Sequence, residues 1–395
     1  MKWASAAVSD RDLMVAAAGA AEQLRGALGD DRPDLVLAFA AGYDPRTLVD
    51  LHDALQPWLG NGLLLGCNAG GVIGGDREVE DEPALALLAA RTEGAEFTAV
   101  HLEQRLLPAV NAAREAWWTR VGVRAEAEPS FMLLADPFSF DAEHCVRGLD
   151  RAYAGATVVG GLNSAANQPG HAGLLVDRDV HDSGALLLAC TGNLRLEGLV
   201  AQGCRPVGEP LFVTAAEHNR IRELDGCPPR EVLGRLLTAL GPRDRELFND
   251  RQLYIGLALP GPRQVVGAGD FLIRTVVGLD AQSGDLVIGG QAGEHSVVQF
   301  QLRDAEASAA DLERQLRRHR DRDPSTPAAA LMFSCIGRGA GLYGVANRDS
   351  GLFRRAFGEL PVGGMFCAGE IGPVQGTTFL HGYTTVLGLI RRRIG

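Results

Sequence analysis

Two charged residues in glycine-rich stretches have the chemistry to bind the two ends of a zwitterionic ligand. Arg338 lies in the stretch 335–339, which begins at the last residue of the apolar run 329–335. A guanidinium binds a carboxylate through two parallel hydrogen bonds, so we predict that Arg338 contacts a ligand carboxylate. Glu370 lies in a second glycine-rich turn, where we predict that its carboxylate binds an amine. The alternative is an internal ion pair between Glu370 and Arg338 that fixes the two loops.

Three uncharged residues complete the hydrogen-bonding part of this predicted site. Asn68 and Asn163 each follow an apolar run and begin a loop of small residues. Thr377 precedes the apolar run that ends at Ile390, so we predict a helix N-terminus there, whose free N–H groups favour an anion. An ordinary helix cap without a ligand is the alternative at Thr377. The amides and the hydroxyl would supply neutral hydrogen bonds to the ligand.

His381 and Cys335 leave several roles open. A neutral imidazole at position 381 could contact the ligand, bind haem iron or pack in the core. Cys335 has Arg338 nearby and could be a nucleophile with His381 as its base, or a buried thiol with a packing role. The sequence contains no Cys-x-x-Cys-His motif, which excludes covalently attached haem, and non-covalent haem stays an alternative. We predict no cofactor, no metal site and no catalytic residue.

Composition excludes several classes of protein and of mechanism. Among 395 residues, 38 Lys and Arg stand against 49 Asp and Glu, a net charge of −11 that argues against nucleic acid or an anionic membrane as a partner. Lys2 is the only lysine, so a Schiff-base or phosphate-loop lysine is excluded. Seven cysteines without a Cys-x-x-Cys pair fit a reducing compartment. Without a signal peptide or a membrane-spanning run, we expect a cytoplasmic protein.

The same order of predicted elements positions the candidate residues twice. A strand over 35–40, a helix over 47–59 and a strand over 63–67 lead to Asn68, and a strand over 131–135, a helix over 141–153 and a strand over 157–161 lead to Asn163. A weaker third copy spans 329–335, 351–357 and 363–367. Loops at strand ends favour ligands, so the three loops are predicted to meet at one cavity. They could also be ordinary tight turns.

These patterns predict an α+β fold, a two-part mixed α/β sandwich-like architecture with an internally duplicated N-terminal part. The predicted divisions are an N-terminal helical leader over 1–29, a duplicated domain over 30–225 and a C-terminal domain over 226–395.

Six stretches in a fixed order resemble the FIST family, in which a FIST N domain is followed by a FIST C domain. The stretches are 66–71, 202–208, 223–226, 333–339, 369–373 and 381–382. The resemblance implies a cytoplasmic sensory module in signal transduction that binds a small, amino-acid-like ligand and is not an enzyme. It also implies output through a separate protein, such as a histidine kinase or a cyclic-dinucleotide enzyme.

Three other interpretations stay open beside this one. Some FIST proteins are linked to haem and nitric oxide, so a haem-based nitric oxide sensor is one alternative. A hydrolase or transferase that depends on Cys335 is another. An interaction scaffold without a pocket is a third alternative, for which the loops would be turns only.

Overall fold

The secondary structure is that of a mixed α/β protein, as the sequence predicts. The structure is a computed structural model that describes residues 1–29, 32–259, 269 and 271–393. The strands are, in chain order, β1 Lys2–Ser9, β2 Leu35–Ala41, β3 Leu63–Ala69, β4 Val72–Gly74, β5 Arg77–Val79, β6 Ala84–Arg91, β7 Ala95–Leu102, β8 Ser130–Ala135, β9 Val158–Leu162, β10 Leu174–Val176, β11 Asp179–His181, β12 Ala185–Gly192, β13 Leu194–Gln202, β14 Cys204–Pro206, β15 Leu211–Glu217, β16 Arg220–Leu224, β17 Leu253–Ala258, β18 Phe271–Leu279, β19 Leu286–Ile288, β20 Val297–Arg303, β21 Ala329–Cys335, β22 Val362–Cys367, β23 Gly369–Val374, β24 Thr377–His381 and β25 Thr384–Arg392.

The helices lie between these strands in the chain. They are α1 Leu13–Leu28, α2 Val49–Leu59, α3 Arg114–Val121, α4 Ala142–Ala152, α5 Pro229–Ala239, α6 Pro242–Asn249, α7 Ala305–Arg322, α8 Gly339–Tyr343 and α9 Arg348–Phe357. Single 3₁₀ turns occur at Pro45–Leu48, Gln104–Leu106 and Ala125–Ala127. The segment predicted as a helical leader contains α1, and the strand β1 precedes that helix.

The chain packs as two compact units, of which the larger comprises residues 1–200 and 312–395 and the smaller residues 201–311. The boundaries of these packing units differ from the boundaries of the predicted sequence domains. The domain boundaries stay predictions.

The larger unit contains three six-stranded sheets, and their strands are arranged in corresponding orders. The first sheet is β1-β6-β2-β3-β10-β11, the second β7-β12-β8-β9-β23-β24 and the third β13-β25-β21-β22-β4-β5. At the centre of each sheet a parallel pair, β2 with β3, β8 with β9 or β21 with β22, is flanked by an antiparallel strand. The predicted strand–helix–strand segments supply these parallel pairs. That the repeat arose by internal duplication stays a prediction.

Each short hairpin of the larger unit joins a sheet other than that of the strand before it. Hairpin β4–β5 follows β3 but pairs with β22, and β10–β11 follows β9 but pairs with β3. Hairpin β23–β24 follows β22 but pairs with β9. The three sheets are therefore linked by exchanged strands, and the loops that precede the hairpins are brought together.

The central strands are continuously apolar because both of their faces are buried. Leu37 and Phe39 of β2 belong to an inner cluster that contains residues of all three sheets, and the Phe39 ring meets the Phe333 ring edge-on at 6.2 Å between centroids. Val36 and Ala38 face the opposite way, into the cluster formed with α1 and α2. A second helix-facing cluster joins α3 and α4 to the second sheet.

Close approach of neighbouring backbones requires glycine at three positions in the parallel strand pairs. Gly66, Gly160 and Gly364 occupy equivalent positions in β3, β9 and β22, each in register with a residue of the parallel neighbour. A Cβ atom at these positions would lie 1.8–1.9 Å from the carbonyl oxygen of that neighbour, so a side chain does not fit.

The smaller unit is a barrel-like sheet. Its strand order is β14-β20-β15-β16-β19-β18-β17, and the sheet closes because β17 pairs with β20 as well as with β18. Its core is formed by apolar residues of these strands together with α5.

A glycine in α4 gives a stability prediction for the second sheet. A Cβ atom at Gly148 would lie 1.9 Å from the buried Trp117 ring, so Gly148→Ala forces the ring to move and should lower the free energy of unfolding by about 1–3 kcal/mol. Gly26→Ala in α1 is the matched control, because no described atom outside the backbone of its own helix lies within 4 Å of its Cβ position. That change should raise stability by about 0.5–1 kcal/mol. Urea unfolding measures both, and equal effects of the two variants would contradict the prediction.

Candidate functional site

A cavity of about 460 Å³ lies at the carboxyl ends of the parallel strands β2 and β3. Gly42 and Tyr43 follow β2, Asn68 to Gly70 end β3, and residues 80–83 join β5 to β6 on another side of the cavity. Ala165 and His171 contribute from the segment after β9. Ligands of α/β sheets bind outside the carboxyl ends of the parallel strands, so the position of this cavity makes it the candidate binding site.

The loop that follows β3 contacts the loops that follow β9 and β21 beside the cavity. The backbone N–H of Gly70 donates to Ser164 Oγ at 2.8 Å, and this hydroxyl donates to the carbonyl oxygen of Phe366. Ile336 packs against the first loop so closely that a Cβ atom at Gly70 would lie 2.5 Å from Ile336 Cδ1. The loops after β3 and β9 are therefore neighbours and line the cavity, whereas the loop expected after the third copy, at residue 368, does not belong to the cavity wall that the structure describes.

The two asparagines bind each other. Asn163 Nδ2 donates to Asn68 Oδ1 and, at 2.8 Å, to the Asn68 carbonyl oxygen. Asn163 Oδ1 accepts from the N–H groups of Ala165 and Ala166, both at 3.0 Å. Asn68 Oδ1 also accepts from Gly173 N at 2.7 Å. Asn68 lines the cavity, whereas Asn163 holds the loops in place from behind it.

One wall of the cavity is acidic. Glu82 is paired, since it accepts from Ser9 Oγ at 2.7 Å and lies 3.6 Å from Arg77. Glu80 accepts from the backbone N–H of Ala340 at 2.8 Å. The carboxylate of Asp81 is exposed and has no hydrogen bond or ion pair with any residue that the structure describes. This wall favours a positively charged group in the cavity.

Burial and neighbouring charge shift the pKa of two cavity groups. Burial raises the pKa of Glu80, the charges of Asp81 and Asp349 add to this effect, and the Ala340 N–H opposes it. The pKa of Tyr43 is raised to about 12, mainly by burial and also by the charges of Asp10 and Asp12. Tyr43 therefore stays a neutral phenol, whose hydroxyl donates to the Asp10 carbonyl oxygen at 2.6 Å.

Arg338 lies inside the larger unit and is paired with Asp349. Its Nε and Nη2 donate to the two carboxylate oxygens at 2.8 and 3.0 Å, and Nη2 also contacts the Tyr343 hydroxyl. Asp349 accepts from Ser334 Oγ at 3.1 Å and from Thr385 Oγ1 at 2.6 Å as well. The guanidinium fork predicted to bind a ligand carboxylate is thus occupied by an internal carboxylate, and the predicted partner Glu370 is replaced by Asp349.

Glu370 is completely buried in β23. Its Oε2 accepts from the N–H and the hydroxyl of Thr384 at 3.1 and 2.8 Å, while Oε1 has no hydrogen-bond partner among the residues that the structure describes. Burial raises the Glu370 pKa to about 8, with smaller opposing contributions from Thr384, Arg338 and the Cys335 thiol. At neutral pH this carboxyl is therefore mostly protonated. Contact of Glu370 or Arg338 with a ligand stays a prediction.

The helix predicted to begin at Thr377 is absent, and a β-hairpin occupies its place. Thr377 is the exposed first residue of β24, and Val374 is its register partner on β23. Gln375 and Gly376 form the turn with φ of 55° and 82°, and two consecutive positive φ values are typical of a two-residue hairpin turn. The prediction was wrong because two threonines before an apolar run are as suitable for a strand as for a helix cap.

His381 is held by the same hairpin. It is buried opposite Glu370 in the register of β23 and β24, and its Nε2 lies 3.0 Å from the Gly372 carbonyl oxygen. The structure therefore separates the six predicted residues. Asn68 and Asn163 lie at the cavity, Arg338, Glu370 and His381 lie in the interior, and Thr377 is on the surface.

The cysteines at the strand ends are packed together in the interior. Cys335 and Cys367 are register partners on the parallel strands β21 and β22, and Cys67 Sγ lies 3.3 Å from Met365 Sδ. Burial raises the pKa of the Cys67 and Cys367 thiols well above the usual range. A raised pKa disfavours the thiolate, which is the reactive form of cysteine.

Two other kinds of feature are absent from the described part of the chain. Over the residues that the structure describes, no three His, Cys, Asp or Glu side chains are grouped so that they could hold a metal ion. Nor does this part of the chain contain a helix with the length and apolarity needed to cross a membrane.

Several residues of the site could not be recognised from sequence. Asp349 and Tyr343 follow a glycine-rich stretch and carry no motif that marks them as partners of Arg338. The acidic run Glu80-Asp81-Glu82 carries no motif that marks it as part of a binding site, and its position at a cavity depends on the path of the hairpin β4–β5.

Comparison with known proteins shows the family. The FIST N domain matches residues 34–227 and the FIST C domain residues 230–373. Uncharacterized proteins of Mycobacterium tuberculosis and Mycobacterium bovis are 36% and 33% identical over 378 residues, each over 96% of this chain and 96% of the relative. An F-box/LRR-repeat protein of Arabidopsis thaliana is 38% identical over 134 residues, which are 29% of this chain and 25% of that protein.

Among solved structures, cyanuric acid hydrolase from A. caulinodans aligns over 100% of this chain and 99% of the hydrolase chain. The sequence identity is 10% and the TM-score is 0.31. The mycobacterial relatives and the two domain matches together span most of the sequence. The chain therefore belongs to the FIST family, whose domains are small-ligand sensory domains in signal transduction rather than catalysts.

Proposed function

We propose that the chain is the sensory component of a signalling pathway and that it binds a small amino-acid-like ligand in the cavity at the ends of β2 and β3. The output would pass to a separate protein, such as a histidine kinase or a cyclic-dinucleotide enzyme. Family membership supports the sensory role. The ligand class and its position are our inference from the cavity.

One observation carries the proposal. The cavity is bounded by loops next to strands of all three sheets, and the Asp81 carboxylate at its wall has no hydrogen bond or ion pair among the described residues. An ammonium or guanidinium group would give this carboxylate a partner, while the Asn68 amide could supply a neutral hydrogen bond. We therefore expect basic amino acids to bind better than acidic ones.

Signalling would follow from a shift between two arrangements of the loops. A ligand shifts such an equilibrium only if it binds one arrangement more tightly than the other. Bridging the acidic wall and the Asn68 loop with one ligand would favour the arrangement in which the two are close.

The test is the affinity for L-arginine, L-lysine and L-glutamate, measured by isothermal titration calorimetry. We expect L-arginine and L-lysine to bind and L-glutamate not to bind. Asp81→Asn removes the unpaired charge at the wall and should weaken L-arginine binding about tenfold, equivalent to about 1.4 kcal/mol. Asp50→Asn is the control, because Asp50 is exposed on α2 and does not line the cavity.

Three results would count against the proposal. Failure of both basic amino acids to bind would reject the ligand class, and equal binding of L-glutamate would reject the role of the acidic wall. An Asp81→Asn variant with wild-type affinity would place the ligand elsewhere. An absorption spectrum of the same sample tests the alternative of bound haem, which predicts a Soret band.

A further inference from the structure

Glu80 connects the cavity to a segment that lies outside it. The residue directly follows β5, lines the cavity and accepts the N–H of Ala340 with Oε1 at 2.8 Å. Ala340 belongs to α8 in residues 336–350, which we call the Arg338 segment. A single carboxylate is thus shared between the candidate ligand site and this segment.

The Glu80 carboxylate fits closely against the Arg338 segment. A Cβ atom at Gly339 would lie 2.2 Å from Glu80 Oε2, and Gly339 has φ of 60°, so glycine is required on two grounds. Any side chain at this position would push the carboxylate away from the Ala340 N–H.

The strand before Glu80 holds the other end of the Arg338 segment. The N–H of Glu78 donates to Asn347 Oδ1 at 2.6 Å, and Glu78 Oε1 accepts the N–H of Ser350 at 2.6 Å. Residues 78–80 therefore form a strip to which both ends of the segment bind. Between these ends the segment has an exposed surface that includes Val345, whose exposed fraction is 56%.

Like charges oppose the position of the Glu80 carboxylate. Asp81 follows it directly, and Asp349 and Glu78 lie on the inner side, whereas the described cavity wall contributes no arginine or lysine. A cation in the cavity would reduce this repulsion and strengthen the charge-assisted hydrogen bond to Ala340.

We propose that Glu80 is the positioning residue that transmits occupancy of the cavity to the Arg338 segment: a bound ligand cation stabilises the Glu80–Ala340 hydrogen bond and orders residues 339–347. This inference rests on the function proposed above. It identifies the Arg338 segment as the surface whose mobility changes when the ligand binds.

Hydrogen–deuterium exchange on the full chain tests the inference, with L-arginine as the probe. In the wild-type protein, saturating L-arginine should slow exchange in residues 339–347 about tenfold, the effect of a hydrogen bond strengthened by about 1.4 kcal/mol. Glu80→Gln keeps an oxygen acceptor for the Ala340 N–H but has no charge. This variant should bind L-arginine more weakly, because the acidic wall loses one charge, and at L-arginine concentrations that saturate it the slowing should be absent.

Calorimetry on the same samples separates this inference from the proposed function. If L-arginine binds and exchange in residues 339–347 is unchanged, or if Glu80→Gln responds like the wild type, the coupling role is overturned while the function stands. If L-arginine and L-lysine do not bind, the proposed function fails. In that case Glu80→Ala without ligand still tests the anchor, and unchanged exchange in residues 339–347 would overturn it.

Discussion

Replacing Asp349 by Asn should lower the free energy of unfolding by about 3–5 kcal/mol, because it leaves the buried Arg338 cation without a counter-charge. Both side chains are almost completely inaccessible, and the pair is bidentate. Burial disfavours the Asp349 charge, but the charge of Arg338 and hydrogen bonds from Arg338, Thr385 and Tyr343 outweigh burial and hold its pKa below the usual range. The amide in the Asp349→Asn variant would keep the shape of the carboxylate but would have no negative charge to balance the Arg338 cation.

The matched control is Asp76→Asn, which removes the same charge from an exposed pair. Asp76 lies 3.2 Å from Arg354, and both side chains are more than half exposed. An ion pair of this kind contributes at most about 1 kcal/mol, so the control should change stability little. Urea unfolding at pH 7 measures both variants. A loss below about 1 kcal/mol for Asp349→Asn would show that Arg338 does not depend on its partner.

Replacing Glu370 by Gln should remove a large pH dependence of stability. The Glu370 pKa is about 8 in the folded protein against an ordinary 4.5, so the folded state keeps a proton that the unfolded state releases as the pH rises. The contribution of Glu370 to the free energy of unfolding is then complete below pH 4.5. It falls by about 1.4 kcal/mol per pH unit until the pH passes 8. The amide in the Glu370→Gln variant resembles the protonated acid and does not titrate.

We therefore expect the difference in unfolding free energy, Glu370→Gln minus wild type, to grow in favour of the variant by about 3–4 kcal/mol between pH 5 and pH 8. Urea titrations at pH 5, 6, 7 and 8 measure this difference. Glu22→Gln, an exposed position on α1, is the control and should give a difference that does not change in this range. Parallel curves for Glu370→Gln and wild type would contradict the buried, protonated state of Glu370.

The elements that position the site could be predicted because their signals are local. The strands β2, β8 and β21 are apolar runs bounded by turn residues, and the loops at Asn68 and Asn163 follow directly from such strands. Two loops that leave parallel strands of a repeated unit at equivalent points were expected to approach each other, and the two asparagines do bind.

The rest of the site depends on pairing between distant segments, which no local pattern reports. The hairpin with Glu80 pairs with β22, nearly three hundred residues later in the chain, as the register of Val72 with Met365 shows. Only this pairing brings Glu80 to Ala340. The partner of Arg338 lies only 11 residues away, but no local pattern distinguishes Asp349 from Glu370, the internal partner considered as the alternative to a ligand carboxylate.

The exchange of hairpins between sheets has a consequence for synthesis of the chain on the ribosome. The first sheet has all six strands once residue 181 has emerged, but β9 in the second sheet gains its neighbour β23 only after residue 374, and β4–β5 gains β22 only after residue 367. An open strand edge and a lone hairpin are templates for aggregation. We expect nascent chains between these lengths to need protection by a chaperone, and release of the segment 362–392 to complete the second and third sheets at nearly the same time.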